Sequence, residues 1–272
     1  MKTLGLNISI CTLATVLTLS SCLDDQNDSI ESGKDLAFIT TYNNTKCAAT
    51  SCGYVTSPEI QTLIQNECYL IGYIITDPAV DGIYTADNTY NVSDDPLPQT
   101  VLKEGTPENE QENNSAVDNL TIPFFYPTHY MGDRWMFKYS AILNSNEKLT
   151  PRFYYDENNQ VDKNGVSIKN ENMVVIDVYF EKSVVTGSNP ASSGNEYLTI
   201  ANFESLRTLY NPDYNRGYST SNEKCVDVQL LFRYHKNRGV DEPSVISYVG
   251  DWETSSRVYM TFIYQSFYIL GA

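Results

Sequence analysis

Side chains suited to catalysis are scarce and scattered in this sequence. It holds two histidines, His129 and His235. His129 lies in Pro127-Thr128-His129-Tyr130, and His235 follows an apolar run ending at Tyr234. Neither has a second ligand at the spacing a metal motif requires. No Gly-x-Ser-x-Gly sets a serine on a nucleophile elbow, and no glycine-rich loop is spaced to cradle phosphate. Acidic residues number 34, so adjacent pairs such as Asp156-Glu157 and Asp241-Glu242 arise from composition alone. A glycosidase pair is defined by separation in space instead. The run from Asp156 to Gly165 is rich in oxygen donors, but it departs from EF-hand spacing and lacks the closing glutamate. The expectation is a non-enzymatic protein with no metal and no cofactor.

One residue has a legible chemistry. Leu19-Ser20-Ser21-Cys22 closes an apolar stretch that follows Lys2, then opens onto Leu23-Asp24-Asp25-Gln26-Asn27-Asp28. Small residues before a cysteine give a peptidase close access to the backbone, and the four positions resemble a bacterial lipobox. Residues 1–21 are therefore expected to be a lipoprotein signal peptide, with Cys22 acylated after cleavage. The apolar stretch is too short for a stable membrane span. Two or three acyl chains, at about 0.8 kcal/mol per buried CH₂, make a durable anchor, and no later segment is long and apolar enough to add another. Residues 22–32 read as an acidic flexible tether. This tether resembles the aspartate-rich export signal of Bacteroidota-type lipoproteins, which implies display on the outer face of the outer membrane. Asp28-Ser29-Ile30 resembles the short O-glycosylation motif of the same group, making Ser29 a candidate site.

The net charge of −16 argues against nucleic acid and against electrostatic docking on an anionic membrane. Of six cysteines, Cys11 leaves with the signal and Cys22 carries lipid. Cys47, Cys52, Cys68 and Cys225 remain as candidates for disulfides in an oxidising compartment. Their spacing selects none of the three complete connectivities, and a single local bridge with Cys225 as a buried thiol is also compatible. They match no zinc pattern.

The elements that must position these residues are strands. Apolar and polar residues alternate with period two at Val174, Ile176, Val178 and Phe180, and again at Val226, Val228, Leu230 and Phe232. Further strand-like runs lie at 36–42, 67–76, 82–86, 121–126, 134–143, 152–155, 196–201, 245–252 and 257–270. Gly, Pro, Asn and Asp turns separate them. Helix signals are confined to 57–65, where Ser57 and Pro58 suit a cap and first turn, and to 203–210. Many short strands without alternating long helices predict an all-β chain of sandwich or barrel type. Residues 93–119 are acidic and nearly devoid of apolar side chains, so they read as a long, exposed, disordered loop. Residues 156–172 are polar and place a boundary between a first domain at 33–148 and a second at 168–272.

Binding is the better functional class. Exposed aromatics stack on sugar faces or anchor protein partners. Trp135, Trp252, Tyr154 and Tyr155 are candidates, and the segment from Tyr210 to Tyr218 is the most suggestive. It sets Tyr210, Tyr214, Arg216 and Tyr218 among amides on a Pro/Gly loop, and these four are the candidate ligand-binding residues. A tyrosine-rich hairpin packing on its own sheet accounts for the same segment.

The Ser-Ser-Cys-Leu-Asp-Asp start, a β-rich first half ending in the segment from Met131 through Gly132-Asp133-Arg134 to Leu143, and a β-rich second half with Leu230-Leu231-Phe232-Arg233-Tyr234-His235 together resemble the NigD-like lipoproteins. The resemblance implies an N-terminal OB-like barrel followed by a C-terminal antiparallel β-sandwich, and no defined activity. Residues 46–57 and 93–119 match no part of that pattern. The expected function is an outer-membrane lipoprotein that binds or assembles with an envelope protein or a polysaccharide. The alternatives are a carbohydrate-binding lipoprotein of a glycan-uptake system and a pilus-associated β-sandwich lipoprotein. All share the membrane attachment through Cys22.

Overall fold

The computed structural model describes residues 29–107, 114–125, 131–144, 146–169, 171–184, 195–219, 223–238, 242–250 and 257–264. It is nearly all β, with 56% strand and 8% helix.

A six-stranded sheet comes first. It contains β1 (Ile30–Tyr42), β2 (Thr45–Thr50), β3 (Gly53–Thr56), β4 (Cys68–Ile75), β5 (Ile83–Thr85) and β6 (Asn88–Tyr90). Asn43 and Asn44 both adopt positive φ, as a two-residue turn between antiparallel strands requires. The short helix α1 (Pro58–Thr62) links β3 to β4; the Ser57 hydroxyl accepts the Ile60 N–H and Pro58 opens the first turn. β1 pairs with β2 and β4, while β5 runs parallel to β3 and β6 antiparallel to β4. Between β5 and β6, the Ala86 N–H reaches Thr56 O and the Asp87 N–H reaches Ile74 O, both at 2.9 Å. One strand broken in two thus curls the sheet toward the OB-type closure. Ala37, Ile39, Ala48, Val55, Ile60, Ile71, Tyr73 and Ile75 fill its interior. The expected tether is shorter than the sequence suggested, because Ile30, Glu31 and Ser32 already pair with Ile75, Ile74 and Tyr73.

Two further sheets form a sandwich. The smaller holds β7 (Gln99–Val101), β9 (Asn119–Leu120), β10 (Arg134–Ala141) and β13 (Asn195–Asn202). The larger is built on β8 (Lys103–Glu104), β11 (Glu147–Tyr155), β12 (Met173–Val184) and β15 (Lys224–Lys236). β14 (Tyr218–Ser219), β16 (Val245–Val249) and β17 (Tyr259–Tyr264) also pair with β15. A one-turn helix, α2 (Leu206–Leu209), follows β13. The core between the sheets is aromatic: Trp135, Phe137, Phe153, Phe203 and Phe232 meet edge-on or tilted, with Phe137 4.8 Å from Phe232 and 4.9 Å from Phe153. Such geometry suits ring quadrupoles.

Three expectations need correction. The sandwich is mixed, not purely antiparallel, because β12 and β15 run parallel from Met173↔Gln229 to Val178↔Tyr234. The two units do not divide between 148 and 168: β10 pairs along its whole length with β13 and shares its core, so the division falls after β6. The described parts of the expected loop at 93–119, residues 93–107 and 114–119, are no free loop. Leu102, Val117 and Leu120 are buried in the sandwich core, and the Val117 N–H donates to His235 O while Ser115 N–H donates to Phe180 O. Residues 114–117 wedge between β12 and β15 where their pairing ends. Isolated apolar residues in a polar run gave no periodic signal of this.

Barrel and sandwich share a seam of Leu36, Phe38, Ala49, Cys68, Met131 and Ile200. It joins the outer face of β1, β2 and β4 to the outer face of β10 and β13.

Candidate functional site

The larger sheet has an inner face turned to the core and an outer face divided in two. On β15 the residues Val226, Val228, Leu230, Phe232 and Tyr234 point inward, so Cys225, Asp227, Gln229, Leu231 and Arg233 point outward. The polar segment at 156–169 covers one half of that outer face. It buries Ile168 against Val175 and Leu231. Gln160 pins it by mimicking a peptide: its Nε2 donates to Val175 O at 3.0 Å and its Oε1 accepts the Val175 N–H at 2.8 Å. Beneath it Asp177 and Arg233, register partners on β12 and β15, form a bidentate ion pair at 2.5 and 2.8 Å. The side chains are only 9% and 11% exposed. Burial alone would lower the Arg233 pKa, but the Asp177 carboxylate outweighs it and the net direction is upward.

Two carboxylates of this segment, Asp156 and Asp162, are committed locally. Asp162 Oδ1 accepts the N–H groups of Asn164 and Val166 at 2.8 Å, which holds its pKa below the usual carboxylate range. Asp156 Oδ1 accepts the Asn158 N–H. Among the described residues no cluster of three or more metal-ligating side chains occurs.

The other half of the outer face is exposed at Tyr218, Asp227, Tyr259 and Ile263, although Cys225 and Gln229 on it are buried. On it β14 and β17 flank β15, with Tyr218 opposite Cys225, Cys225 opposite Ile263, Asp227 opposite Thr261 and Gln229 opposite Tyr259. Tyr218 is 49% exposed, Ile263 48% and Tyr259 37%. Asp227 accepts from the Thr261 hydroxyl at 2.7 Å and from the Tyr218 hydroxyl at 3.5 Å. Arg257 donates to the Tyr259 hydroxyl at 3.3 Å. Burial, then the negative charge of Asp227, raises the Tyr218 pKa, so the phenol stays protonated. Gly217 brings the chain onto β15, since a Cβ there would lie 2.1 Å from Cys225 O.

The tyrosine-rich segment therefore splits. Tyr210 and Tyr214 pack half-buried on the sandwich core, Tyr210 edge-on to Phe262 and Tyr155. Tyr218 and Arg216 are exposed, and Arg216 pairs with Asp213 at 3.6 Å. Asp227, Thr261 and Tyr259 were not singled out in the sequence. Their signal was available as the polar positions of otherwise apolar, alternating strands.

The remaining expected residues are dispersed. Trp135 and Tyr155 are core residues, and Tyr154 meets Tyr179 edge-on. His235 lies on β15 near the Ser244 hydroxyl. Ser29 is exposed directly before β1. Cys22, His129 and Trp252 lie outside the described residues. The disulfide expectation is corrected: Cys47, Cys52, Cys68 and Cys225 are free thiols. Cys52 sits at the barrel interior, Cys68 in the seam and Cys225 in the sandwich. Burial pushes the Cys68 thiol up to about 12.

The barrel holds a polar cluster that the sequence did not announce. Asp35, 2% exposed, follows a register shift in β1 and accepts from the Tyr73 hydroxyl and the Ser51 hydroxyl at 2.7 Å each. The Thr50 hydroxyl lies 3.3 Å from Tyr73 Oη and from Cys52 Sγ. Burial and Asp35 raise the Tyr73 pKa. These groups satisfy one another and tie the β2–β3 turn to β1 and β4.

The geometry defines an all-β barrel-and-sandwich protein. No family model matches the sequence, and no curated protein matches it. Its fold is similar to that of an uncharacterized protein from Parabacteroides merdae, with a TM-score of 0.51, 13% identity, and 84% of this chain and 97% of that chain covered. A protein of unknown function from Bacteroides vulgatus has a TM-score of 0.48 at 9% identity, covering 81% and 90%. A candidate lipoprotein from Bacteroides fragilis has a TM-score of 0.47 at 7% identity, covering 82% and 97%. The likeness to the Parabacteroides merdae protein is one of fold, and none of these proteins carries the NigD name. Among the described residues no helix is long and apolar enough to cross a membrane.

Proposed function

We propose that this chain is a lipid-anchored protein of the outer membrane, facing the cell exterior, that serves as a non-enzymatic binding or assembly component of the envelope. The observation that carries the reading is Leu19-Ser20-Ser21-Cys22 at the end of an apolar stretch, followed at once by an acidic run. The first described strand begins at Ile30, so an anchor at Cys22 would hold the start of the barrel within roughly 28 Å of the bilayer at full extension. The finer form of the reading is kinship with NigD-like lipoproteins. The barrel-then-sandwich order and the placement of Gly132-Asp133-Arg134 at the seam support it.

Fractionation tests the anchor. Wild-type chain is expected in the outer-membrane fraction and Cys22→Ser in the soluble fraction; retention of the variant on membranes contradicts the proposal. A second reading, carbohydrate binding, is favoured by the exposed face that carries Tyr218, Asp227, Thr261 and Tyr259.

A further inference from the structure

We propose that the exposed half of the larger sheet's outer face, on β14, β15 and β17, binds a neutral polysaccharide. This deepens the carbohydrate reading and rests on it.

Three features favour that occupant. Tyr218 and Tyr259 bracket the face. Tyr218 lies in the Cys225 row and Tyr259 in the Gln229 row, about 13 Å apart along the strands and two strand spacings of about 4.8 Å across. Aromatic rings held at that separation present apolar faces for the C–H faces of sugar rings in a short run of glycan. Between them stands Asp227, already joined to the Thr261 and Tyr218 hydroxyls. A carboxylate accepts further hydroxyl donors, and charge-assisted hydrogen bonds are the stronger kind.

Charge complementarity then selects among glycans. An exposed carboxylate on a chain of net charge −16 repels uronic and sulfated sugars and leaves neutral ones. Size argues against a protein occupant. The covering segment at 156–169 closes off the rest of the face, whereas a standard protein interface engages about 20–30 residues on each side.

The arrangement is also held in place. Tyr218 is set by the close approach at Gly217, and β17 is fixed by Arg207, which donates to Thr261 O at 2.8 Å. Rings that are ordered before binding lose less freedom on contact with ligand.

Affinity electrophoresis of the full chain in neutral detergent provides the test, with starch, mannan, xylan and laminarin in the gel and polygalacturonate as the anionic control. At least one neutral polysaccharide is expected to retard the chain, and polygalacturonate is not. Tyr218→Ala and Tyr259→Ala are each expected to weaken the retardation about tenfold, equivalent to about 1.4 kcal/mol. Val184→Ala, a change at an exposed residue of β12, leaves it unchanged. Retardation by none of the neutral polysaccharides overturns the proposal, as does retardation that survives both tyrosine variants while their circular dichroism matches wild type. Native capture of an envelope protein that is lost on Tyr218→Ala assigns the face to a protein partner and also overturns it. Membrane partition of the Cys22→Ser chain is read separately, so failure here and failure of the anchor are distinct results.

Discussion

The Arg134 guanidinium stacks on the Phe38 ring, 3.6 Å from its centroid, and is a charged contact in an otherwise apolar seam between barrel and sandwich. Its Nε is buried without a hydrogen-bond partner, and one terminal N–H donates to Met131 O at 3.3 Å. The aromatic face therefore takes up much of the charge. The two residues before it complete the arrangement. Gly132 turns the chain at φ +60°, and Asp133 binds Arg207 bidentately at 2.6 and 2.7 Å. Arg207 in turn reaches β17. A short Gly-Asp-Arg motif thus ties both sheets of the sandwich to the barrel.

That relationship predicts coupling between the two residues. Arg134→Ala is expected to cost about 1–2 kcal/mol of stability through loss of a desolvated cation–π contact. Phe38→Ala is expected to cost about 3–5 kcal/mol as a large-to-small change at a buried site. In urea denaturation the double variant should lose about 1 kcal/mol less than the sum of the singles. Additive losses contradict the stack.

The Asp177–Arg233 pair makes the opposite kind of prediction. Removing one partner strands a buried charge, so Asp177→Ala is expected to lose about 3–5 kcal/mol. Replacing both by apolar residues of similar volume, as in Asp177→Leu with Arg233→Met, is expected to recover most of that loss. Denaturant midpoints of the three chains check it, and a double variant as unstable as the single contradicts it.

Glu147 sets a pH dependence. A hydrogen bond from Lys182, at 2.9 Å, and another from the Asn144 N–H hold its carboxyl at about 2, below the usual 4.5. The folded form thus favours the ionised state. Its contribution to stability is complete above pH 4.5 and is lost as the pH falls from there through about 2. Carboxyl-detected NMR titration should find a midpoint near 2 in the wild type and an upward shift on Lys182→Ala. A wild-type midpoint near 4.5 contradicts the bond.

The strands were legible because their apolar side chains alternate: Val174, Ile176, Val178 and Phe180 on β12, with Val226 to Phe232 on β15, all enter the core. α1 was legible because its cap is local. What escaped was non-local. Val117 is fully buried although most of its neighbours in sequence are polar, and its place is decided by backbone bonds to β15. The division between units was misjudged because β10 finds its partner β13 only beyond β11, the polar segment that follows it and β12. The tyrosine segment showed its composition but not its facing, which depends on the register of Tyr218 against Cys225. The exposed face escaped for the same reason, since Asp227, Thr261 and Tyr259 meet only through strand pairing.

Mass spectrometry of the mature chain purified from membranes puts attachment through Cys22 to the test. An N-terminal peptide that begins at Cys22 and carries acyl chains is expected. A mature chain that begins elsewhere, or one whose Cys22 is an unmodified thiol, contradicts it.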